Sequence, residues 1–170
     1  MEFNFKTTYN AKSMSVMSKA LRKTIRKRHS KISHILGWII FALGIVLILF
    51  SNKNFSLMLF LNILATIVIF LTLIFEDKIN GYFAWKKIPP GTDLSNATFF
   101  EDYFLSTTEL GESKFTYDNI IALAEEKSYF VFIYSKNHAQ IYCKSSLSGG
   151  TLEEFRQFIE EKTKKNIINI

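Results

Sequence analysis

The chain has 170 residues and a net charge of +6, with one cysteine and three histidines. One cysteine cannot form a disulfide within the chain, and no pair of His and Cys residues has the spacing of a metal site. An excess of Lys and Arg over Asp and Glu is typical of nucleic-acid-binding proteins. The cations concentrate beside a long apolar segment, however, which favours a membrane surface over a nucleic acid as their partner.

The N-terminal residues predict a β-strand. Phe3 and Phe5 alternate with polar residues between Glu2 and Tyr9, which is the period of a half-buried strand. We expect this strand to join the sheet of the C-terminal domain, so that the helices between them form an insertion in that domain.

Residues 1–31 are expected to contain this strand, followed by a basic amphipathic helix beside the membrane. Met14, Met17, Leu21 and Ile25 recur at spacings of three and four residues, which places them on one helical face. That face has two alternative positions, in the plane of the lipid headgroups or packed on the cytoplasmic domain. The opposite face carries Lys12, Lys19, Arg22, Lys23 and Arg26.

Two apolar runs predict a transmembrane helical hairpin at residues 32–75. Helices are expected at 32–50 and 55–75 with a turn at 51–54, and a helix needs roughly 20 apolar residues to cross a bilayer core. A buried hairpin in a soluble protein is disfavoured, because the 95 residues that follow are too few to surround two helices that are apolar on all sides. A signal peptide is disfavoured because the first run leads directly into a second span.

The charges beside the hairpin predict its orientation. Seven cations and no acids lie between residues 19 and 31, whereas the turn contains only Lys53. Lys and Arg accumulate on the cytoplasmic side, so we expect a multi-pass protein of the cell membrane with both termini in the cytoplasm. Anionic lipids are expected to contact Lys19, Arg22, Lys23, Arg26, Lys27, Arg28, Lys31, Trp85, Lys86 and Lys87.

Small and polar residues predict the contact between the two spans. Gly37 and Gly44 share one face of the first helix, and Asn62 and Thr66 lie on a small, polar stripe of the second. Pairing the runs across a four-residue turn places Gly44 near Leu61 and Asn62, and Gly37 near Val68. Small residues permit close approach in membranes and polar ones hydrogen-bond across the interface, so Asn62 is interpreted as structural and not as part of a transport path.

An interfacial linker is expected at residues 76–92. Aromatic residues and lysines around Trp85 resemble the belt at a membrane edge, and Pro89, Pro90 and Gly91 interrupt the chain. The cytoplasmic domain is expected at residues 93–170.

Short strands followed by one helix predict an α+β domain. Strands are expected at 98–100, 103–107, 114–117, 119–124, 129–134 and 139–144, joined by polar turns. In the last strand, the face with Ala139 and Ile141 is interpreted as core, and the face with Gln140, Tyr142 and Lys144 as wetter.

A capping box predicts the C-terminal helix. Thr151 is followed three residues later by Glu154, which is the N-terminal signature of a helix, and Gly149 and Gly150 free the chain to enter it. The expected fold is a bent antiparallel sheet capped by this helix, with the N-terminal strand joining the sheet.

These features resemble the YcxB-like proteins of Gram-positive and other bacteria. The resemblance rests on the hairpin near the N-terminus, the sequence FTYDNIIALAEE at 115–126, the strand ending near Lys144 and the sequence LEEFRQFI at 152–159. It implies a C-terminal domain similar to pleckstrin-homology (PH) and GRAM domains. Cys143 stands where the family commonly has a proline. No biochemical activity comes with the family, so the resemblance implies architecture and location only.

Candidate catalytic groups do not combine into a predicted active site. His29 and His34 flank the start of the hairpin, and a Cys143 nucleophile would need His138 to reach it across its own strand. Glu125 and Glu126 are interpreted as the solvated tip of a polar turn. We therefore expect no enzymatic activity, no catalytic residues, no cofactor and no bound metal.

Three functional hypotheses remain. The leading one is a membrane-anchored, non-enzymatic interaction protein that presents a PH-like domain to a protein or lipid partner at the inner face of the membrane. The second is an immunity protein against a membrane-active toxin or bacteriocin. The third is a small accessory subunit of a transport or stress-response membrane complex. The expected partners are anionic lipids, and either another protein or further copies of this chain, but no nucleic acid.

Overall fold

Eight β-strands and four α-helices form within residues 2–51 and 56–170, which the computed structural model describes. The strands are β1 (Phe3–Thr8), β2 (Leu94–Phe99), β3 (Tyr103–Thr108), β4 (Gly111–Thr116), β5 (Ala122–Glu126), β6 (Tyr129–Ile133), β7 (Ala139–Cys143) and β8 (Ile167–Asn169). The helices are α1 (Ala11–Lys23), α2 (Lys27–Leu49), α3 (Leu57–Trp85) and α4 (Leu152–Thr163). The mixed α and β class agrees with the prediction.

The first sheet has the antiparallel order β1-β2-β3-β4. β1 pairs with β2 along its whole length, from Phe3 opposite Phe99 to Thr8 opposite Leu94. Alternate residues of β1 are buried, as its period of two requires. The expectation that the N-terminal strand joins the domain is confirmed, and residues 9–93 are inserted between two paired strands.

The second sheet has the order β7-β6-β5-β8, in which β8 is parallel to β5 and the other pairs are antiparallel. The expected single bent sheet is therefore two sheets, which divide where a 3₁₀ turn at Tyr117–Asn119 redirects the chain. β1 connects the sheets at its free edge, since Asn4 and Ser148 exchange backbone hydrogen bonds and the Cys143 N–H donates to Thr7 Oγ1.

Aromatic side chains fill the space between the two sheets and α4. The Phe155 ring of α4 lies 4.7 Å from Phe5, 5.1 Å from Phe99 and 5.2 Å from Phe130, measured between centroids. Such edge-to-face and tilted contacts add to the hydrophobic gain of burial. The predicted capping box of α4 is confirmed, because the Glu154 N–H donates to Thr151 Oγ1 and the Thr151 N–H donates to Glu154 Oε2.

Gly149 controls how the chain enters α4. Its φ of +89° lies in the left-handed region, and a Cβ at this position would collide with the carbonyl oxygen of Glu2. Glycine is therefore required here both for backbone conformation and for the close approach of β1.

Helix α1 covers the outer face of the second sheet. Ala20 and Leu21 pack with Val131, Ile133 and Ile141, so the apolar stripe of α1 lies on the domain, which is one of the two alternatives from the sequence. The prediction that the face of β7 with Tyr142 is the more solvent-exposed one is wrong. Tyr142 is 2% exposed and belongs to the aromatic core, because this sheet lies between that core and α1 and is buried on both faces.

Helices α2 and α3 lie side by side, but their register differs from the prediction. Gly44 faces Thr66 instead of Asn62, and Gly37 faces Leu73 instead of Val68. The reason is a longer connection, since α2 ends at Leu49 and α3 begins at Leu57, which shifts the pairing by about one helical turn. Residues 52–54 of the predicted turn lie outside the described residues.

Both helices of the hairpin are long and apolar enough to cross a membrane by length and composition. α3 extends beyond its predicted end at residue 75 and continues to Trp85, so the first ten residues of the expected linker are helical. Polar residues alone do not end a helix, and the first proline is Pro89. Phe75 has φ −104° and ψ 17°, and this non-helical residue kinks α3 where its apolar part ends.

Candidate functional site

Polar and charged side chains join three helices at the base of the hairpin. We term this set the basal cluster; it consists of Arg22 of α1, His34 of α2, and Glu76 and Asp77 of α3. Arg22 donates two hydrogen bonds to Asp77, from Nε to Oδ1 at 2.8 Å and from NH2 to Oδ2 at 2.5 Å. This bidentate geometry is the strongest arrangement of an arginine and a carboxylate. The hydrogen bonds to Asp77 raise the pKa of Arg22 above its usual value, so this side chain keeps its positive charge.

Glu76 extends the basal cluster to α2. Its Oε2 lies 2.5 Å from His34 Nε2 and 3.6 Å from Arg22 Nε. Glu76 therefore contacts both α1 and α2, and Asp77 contacts α1. All three helices are connected at the level of the kink in α3.

Gly81 brings α1 and α3 into close contact beyond the basal cluster. It is buried in α3, and a Cβ at this position would collide with the backbone of Ser15 in α1. Backbone atoms cannot move aside as the end of a flexible side chain can, so this contact requires glycine.

Arg26 connects the start of α2 to the domain. It donates from Nε to the Lys136 carbonyl at 2.8 Å and from NH2 to Asn137 Oδ1 at 2.7 Å. Both acceptors lie in the turn between β6 and β7. Arg22 and Arg26, two of the predicted lipid contacts, thus bind protein groups, and lipid contact by the whole predicted set stays a prediction.

Two basic clefts flank the first turns of α2. The first cleft has a volume of about 450 Å³ and is lined by Lys23, Lys27 and Lys31 together with Ile168 and Ile170 at the end of the chain. The second cleft, of about 610 Å³, is lined by Arg26, Arg28, His29 and Lys136, among others. Within residues 2–51 and 56–170, no carboxylate lies within 4.0 Å of the three lysines of the first cleft.

The predicted aromatic belt lies on the part of α3 beyond its kink. Tyr82, Phe83 and Trp85 are exposed, and Lys86 Nζ lies 4.8 Å from the centre of the Tyr82 ring. Exposed aromatic rings beside lysines suit a membrane edge, and the contact of Trp85, Lys86 and Lys87 with lipid also stays a prediction.

The interpretation of Glu125 as a solvated turn residue is wrong. Glu125 is 7% exposed in β5, where its carboxylate accepts bonds from Arg156 at 2.7 and 2.9 Å and also from Lys144. Burial raises the pKa of Glu125, but hydrogen bonds from Arg156 and Lys144 lower it by more, so the net pKa lies below its usual value. β5 ends at Glu126, two residues beyond the predicted end at 124, and both cations come from distant elements.

The remaining candidate reactive groups lie apart. His138 directly precedes β7 and Cys143 is its last residue, which places them about 16 Å apart at the rise of an extended strand. Cys143 Sγ lies 3.2 Å from Ser145 Oγ. In the part of the chain that the structure describes, no three His, Cys, Asp or Glu residues are grouped to hold a metal ion.

Sequence reasoning missed the acidic half of the basal cluster and the strand β8. Glu76 and Asp77 follow directly after an apolar run, and a basic helix precedes the other run. This complementarity of charge was an available signal for the contact. β8 has three residues and forms only because the edge of β5 is open to it, which no local pattern shows.

Comparison with known proteins adds one match. Residues 99–159 match the YcxB-like protein family, and no curated protein matches the chain. The matched residues run from the end of β2 into α4 and contain Glu125, Lys144 and Arg156, but neither α1 nor the hairpin. The resemblance to the YcxB-like proteins is therefore confirmed for residues 99–159.

Proposed function

We propose that this protein is a membrane-anchored interaction protein that holds a PH-like domain in a fixed orientation at the inner face of the membrane. The observation that carries the proposal is the insertion of the hairpin between β1 and β2, which pair with each other. Two chain crossings and the basal cluster connect the hairpin to the domain. A domain on one flexible linker would rotate freely, whereas this domain presents the same surfaces to its partner and to the bilayer.

Exposed apolar side chains support the anchoring. Ile39, Leu43, Leu61 and Val68 are each more than half exposed on α2 or α3, and apolar patches of this extent require lipid or protein to cover them. The apolar part of α3, from Leu57 to the kink at Phe75, reaches about 28 Å, which is close to the bilayer core of about 30 Å.

The arrangement of strands supports a PH-like domain. Four antiparallel strands form one sheet, three antiparallel strands form most of the second, and α4 packs against the core between them. The resemblance implies a bent sheet capped by a C-terminal helix, and two sheets that are connected at the edge of β1 and packed against α4 support that arrangement. The parallel strand β8 is an addition at the edge of the second sheet.

The polar contacts of the domain support a role in interaction and not in catalysis. The buried carboxylate of Glu125 is neutralised by two cations, and the Arg22–Asp77 ion pair and the His34–Glu76 contact of the basal cluster connect helices. The basal cluster joins α1 to α3, and α1 packs on the second sheet. This pair of contacts supports a fixed orientation of the domain relative to the hairpin, which is what a presented binding surface needs.

Site-specific labelling tests the anchoring and its orientation. Cys143 is the one cysteine of the sequence, so Cys143→Ser provides a background for single cysteines at Ser51, beyond α2, and at the exposed Lys127. We expect an impermeant maleimide to label Ser51→Cys in intact cells and Lys127→Cys only after lysis. Inverted labelling would contradict the orientation, and release of the protein by alkaline carbonate would refute the anchoring.

Co-purification tests the interaction. The protein would be extracted from native membranes in mild detergent and its companions identified by mass spectrometry. We expect one stoichiometric partner protein. A chain that purifies alone, with the mass of a monomer or homo-oligomer, would contradict a stable protein complex and restrict the proposal to a lipid partner.

A further inference from the structure

We propose that the first cleft beside α2 binds the phosphate-bearing headgroup of an anionic phospholipid from the cytoplasmic leaflet. The inference rests on the proposed membrane anchoring, because the inserted hairpin is what brings lipid to the cleft. It adds a defined site and a ligand class to that function. A phosphodiester lipid without a compensating amine, such as phosphatidylglycerol, has the required chemistry.

The charge of the cleft is the first argument. Lys27 and Lys31 are four residues apart and share one face of α2, and Lys23 adds a third ammonium group from the end of α1. All three lysines are exposed, and among the described residues none has a carboxylate within 4.0 Å. Three ammonium groups around one cavity, each with free donors, select an anion.

The second cleft is less suited to a ligand. Its Arg26 already donates to the Lys136 carbonyl and to the Asn137 side chain. That arginine therefore serves the contact between α2 and the domain, which leaves Arg28 and Lys136 as the cations of the second cleft against three lysines in the first.

The depth of the lysines identifies the source of the phosphate. The uninterrupted apolar part of α2 begins at Ile35, and at a rise of about 1.5 Å per residue Lys31 lies about 6 Å and Lys27 about 12 Å from it along the axis. The headgroup layer on one side of a bilayer is about 5 to 8 Å thick. Lys31 thus lies within that layer, where lipid phosphates are concentrated, and Lys27 lies directly beneath it.

The shape of the cleft agrees with an amphipathic ligand. Its volume of about 450 Å³ lies in the range of small-molecule sites. Its lining also includes the exposed Ile168, held in place because β8 pairs with β5 and the Ile170 N–H donates to the Glu125 carbonyl. A lining that combines charge with apolar carbon suits a phosphate with its attached glycerol backbone.

Counting bound lipid tests the proposal. The full chain would be placed in nanodiscs of phosphatidylcholine and phosphatidylglycerol, and retained lipids would be counted by native mass spectrometry. The test variant is Lys23→Gln/Lys27→Gln/Lys31→Gln. The matched control is Lys6→Gln/Lys12→Gln/Lys164→Gln, which removes the same charge from exposed positions that do not line the cleft.

We expect the wild type and the control to retain phosphatidylglycerol, and the test variant to bind it about 100-fold more weakly, at about fivefold for each lysine near the surface. Equal retention in the two triple variants would overturn the site and leave only diffuse surface charge. Binding of added inorganic phosphate to the wild type in pure phosphatidylcholine nanodiscs, lost in the test variant, would overturn the lipid source. A failure of the anchoring itself is distinguishable, because the chain would then not enter nanodiscs of either composition.

Discussion

Glu125 joins parts of the domain that are far apart in the chain. Its carboxylate accepts hydrogen bonds from Lys144, 19 residues away, and from Arg156, 31 residues away. An uncompensated charge at such a buried position would be costly. The sequence could not show this arrangement, because an adjacent pair of glutamates before a lysine is equally typical of a solvated turn, and only the fold brings the two cations to one of them.

Glu125→Gln should therefore destabilise the domain by about 2 to 3 kcal/mol. The neutral amide leaves Lys144, whose side chain is 10% exposed, without its counter-charge, and hydrogen bonds to charged groups contribute about that much. Denaturant unfolding of the full chain in detergent would measure the loss. Glu161→Gln, at an exposed position of α4, is the control and should change stability by less than about 0.5 kcal/mol.

The same residue predicts a dependence on pH. Because the pKa of Glu125 is lower in the folded state than its ordinary value of 4.5, the unfolded state binds the proton first as the pH falls. The contribution of ionised Glu125 to the free energy of unfolding is fully present well above pH 4.5. It is lost as the pH falls through the lowered pKa. Unfolding midpoints from neutral to acidic pH should show wild type and Glu125→Gln converging, and a constant difference would contradict the assignment.

At the scale of elements, periodic patterns predicted which face of α1 is buried but not what covers it. An apolar stripe could pack equally well on a sheet or on a lipid surface, and this one consists of Met14, Met17, Leu21 and Ile25. The contact with α3 decides between them, since Gly81 and Asp77 hold the other side of α1. β1 and α4 were predictable because a period of two and a capping box are local signals. β8 and the division into two sheets depend on pairing between distant strands, which local signals do not contain.

The register of the hairpin gives a prediction for α2 and α3. Gly44→Ala would place a Cβ 2.5 Å from Thr66 Oγ1, whose side chain is stiff because Thr is β-branched. We expect a loss of about 1 to 3 kcal/mol from overpacking. Gly37→Ala, which meets only the end of the Leu73 side chain, is the matched control and should cost less. Thermal unfolding in detergent would measure both.

A second substitution makes the hairpin test specific. Gly44→Ala/Thr66→Ala removes the atoms that the new Cβ would meet and should recover most of the lost stability. If the double variant is no more stable than Gly44→Ala, the two residues do not face each other and the register is incorrect.

For the whole molecule, the opposite charges of its two parts meet at the basal cluster. Residues 1–34 contain nine Lys or Arg and one acid, a net charge of +8, whereas residues 76–170 have a net charge of −3. Lipid accounts for cations beside a membrane span but not for two acids directly after an apolar run. Those acids are explained by Arg22 and His34, which they bind. The hairpin and the domain are thereby connected through side chains as well as through the chain itself.

Reversing one charge should release that connection. Arg22→Asp would place a third carboxylate beside Glu76 and Asp77, and their repulsion should separate α1 from α3. Spin labels at Phe83 and Lys127, both exposed, in the Cys143→Ser background would report the distance between α3 and the domain. We expect one narrow distribution of distances in the wild type and a broad one in Arg22→Asp.

Two control variants make this test specific. The reversed pair Arg22→Asp/Asp77→Arg restores opposite charges and should narrow the distribution again. Lys19→Asp should leave it unchanged, because Lys19 forms no ion pair with the described residues. A distribution in Arg22→Asp as narrow as in the wild type would show that the orientation of the domain does not depend on the basal cluster, and the close contact at Gly81 would then have to maintain it alone.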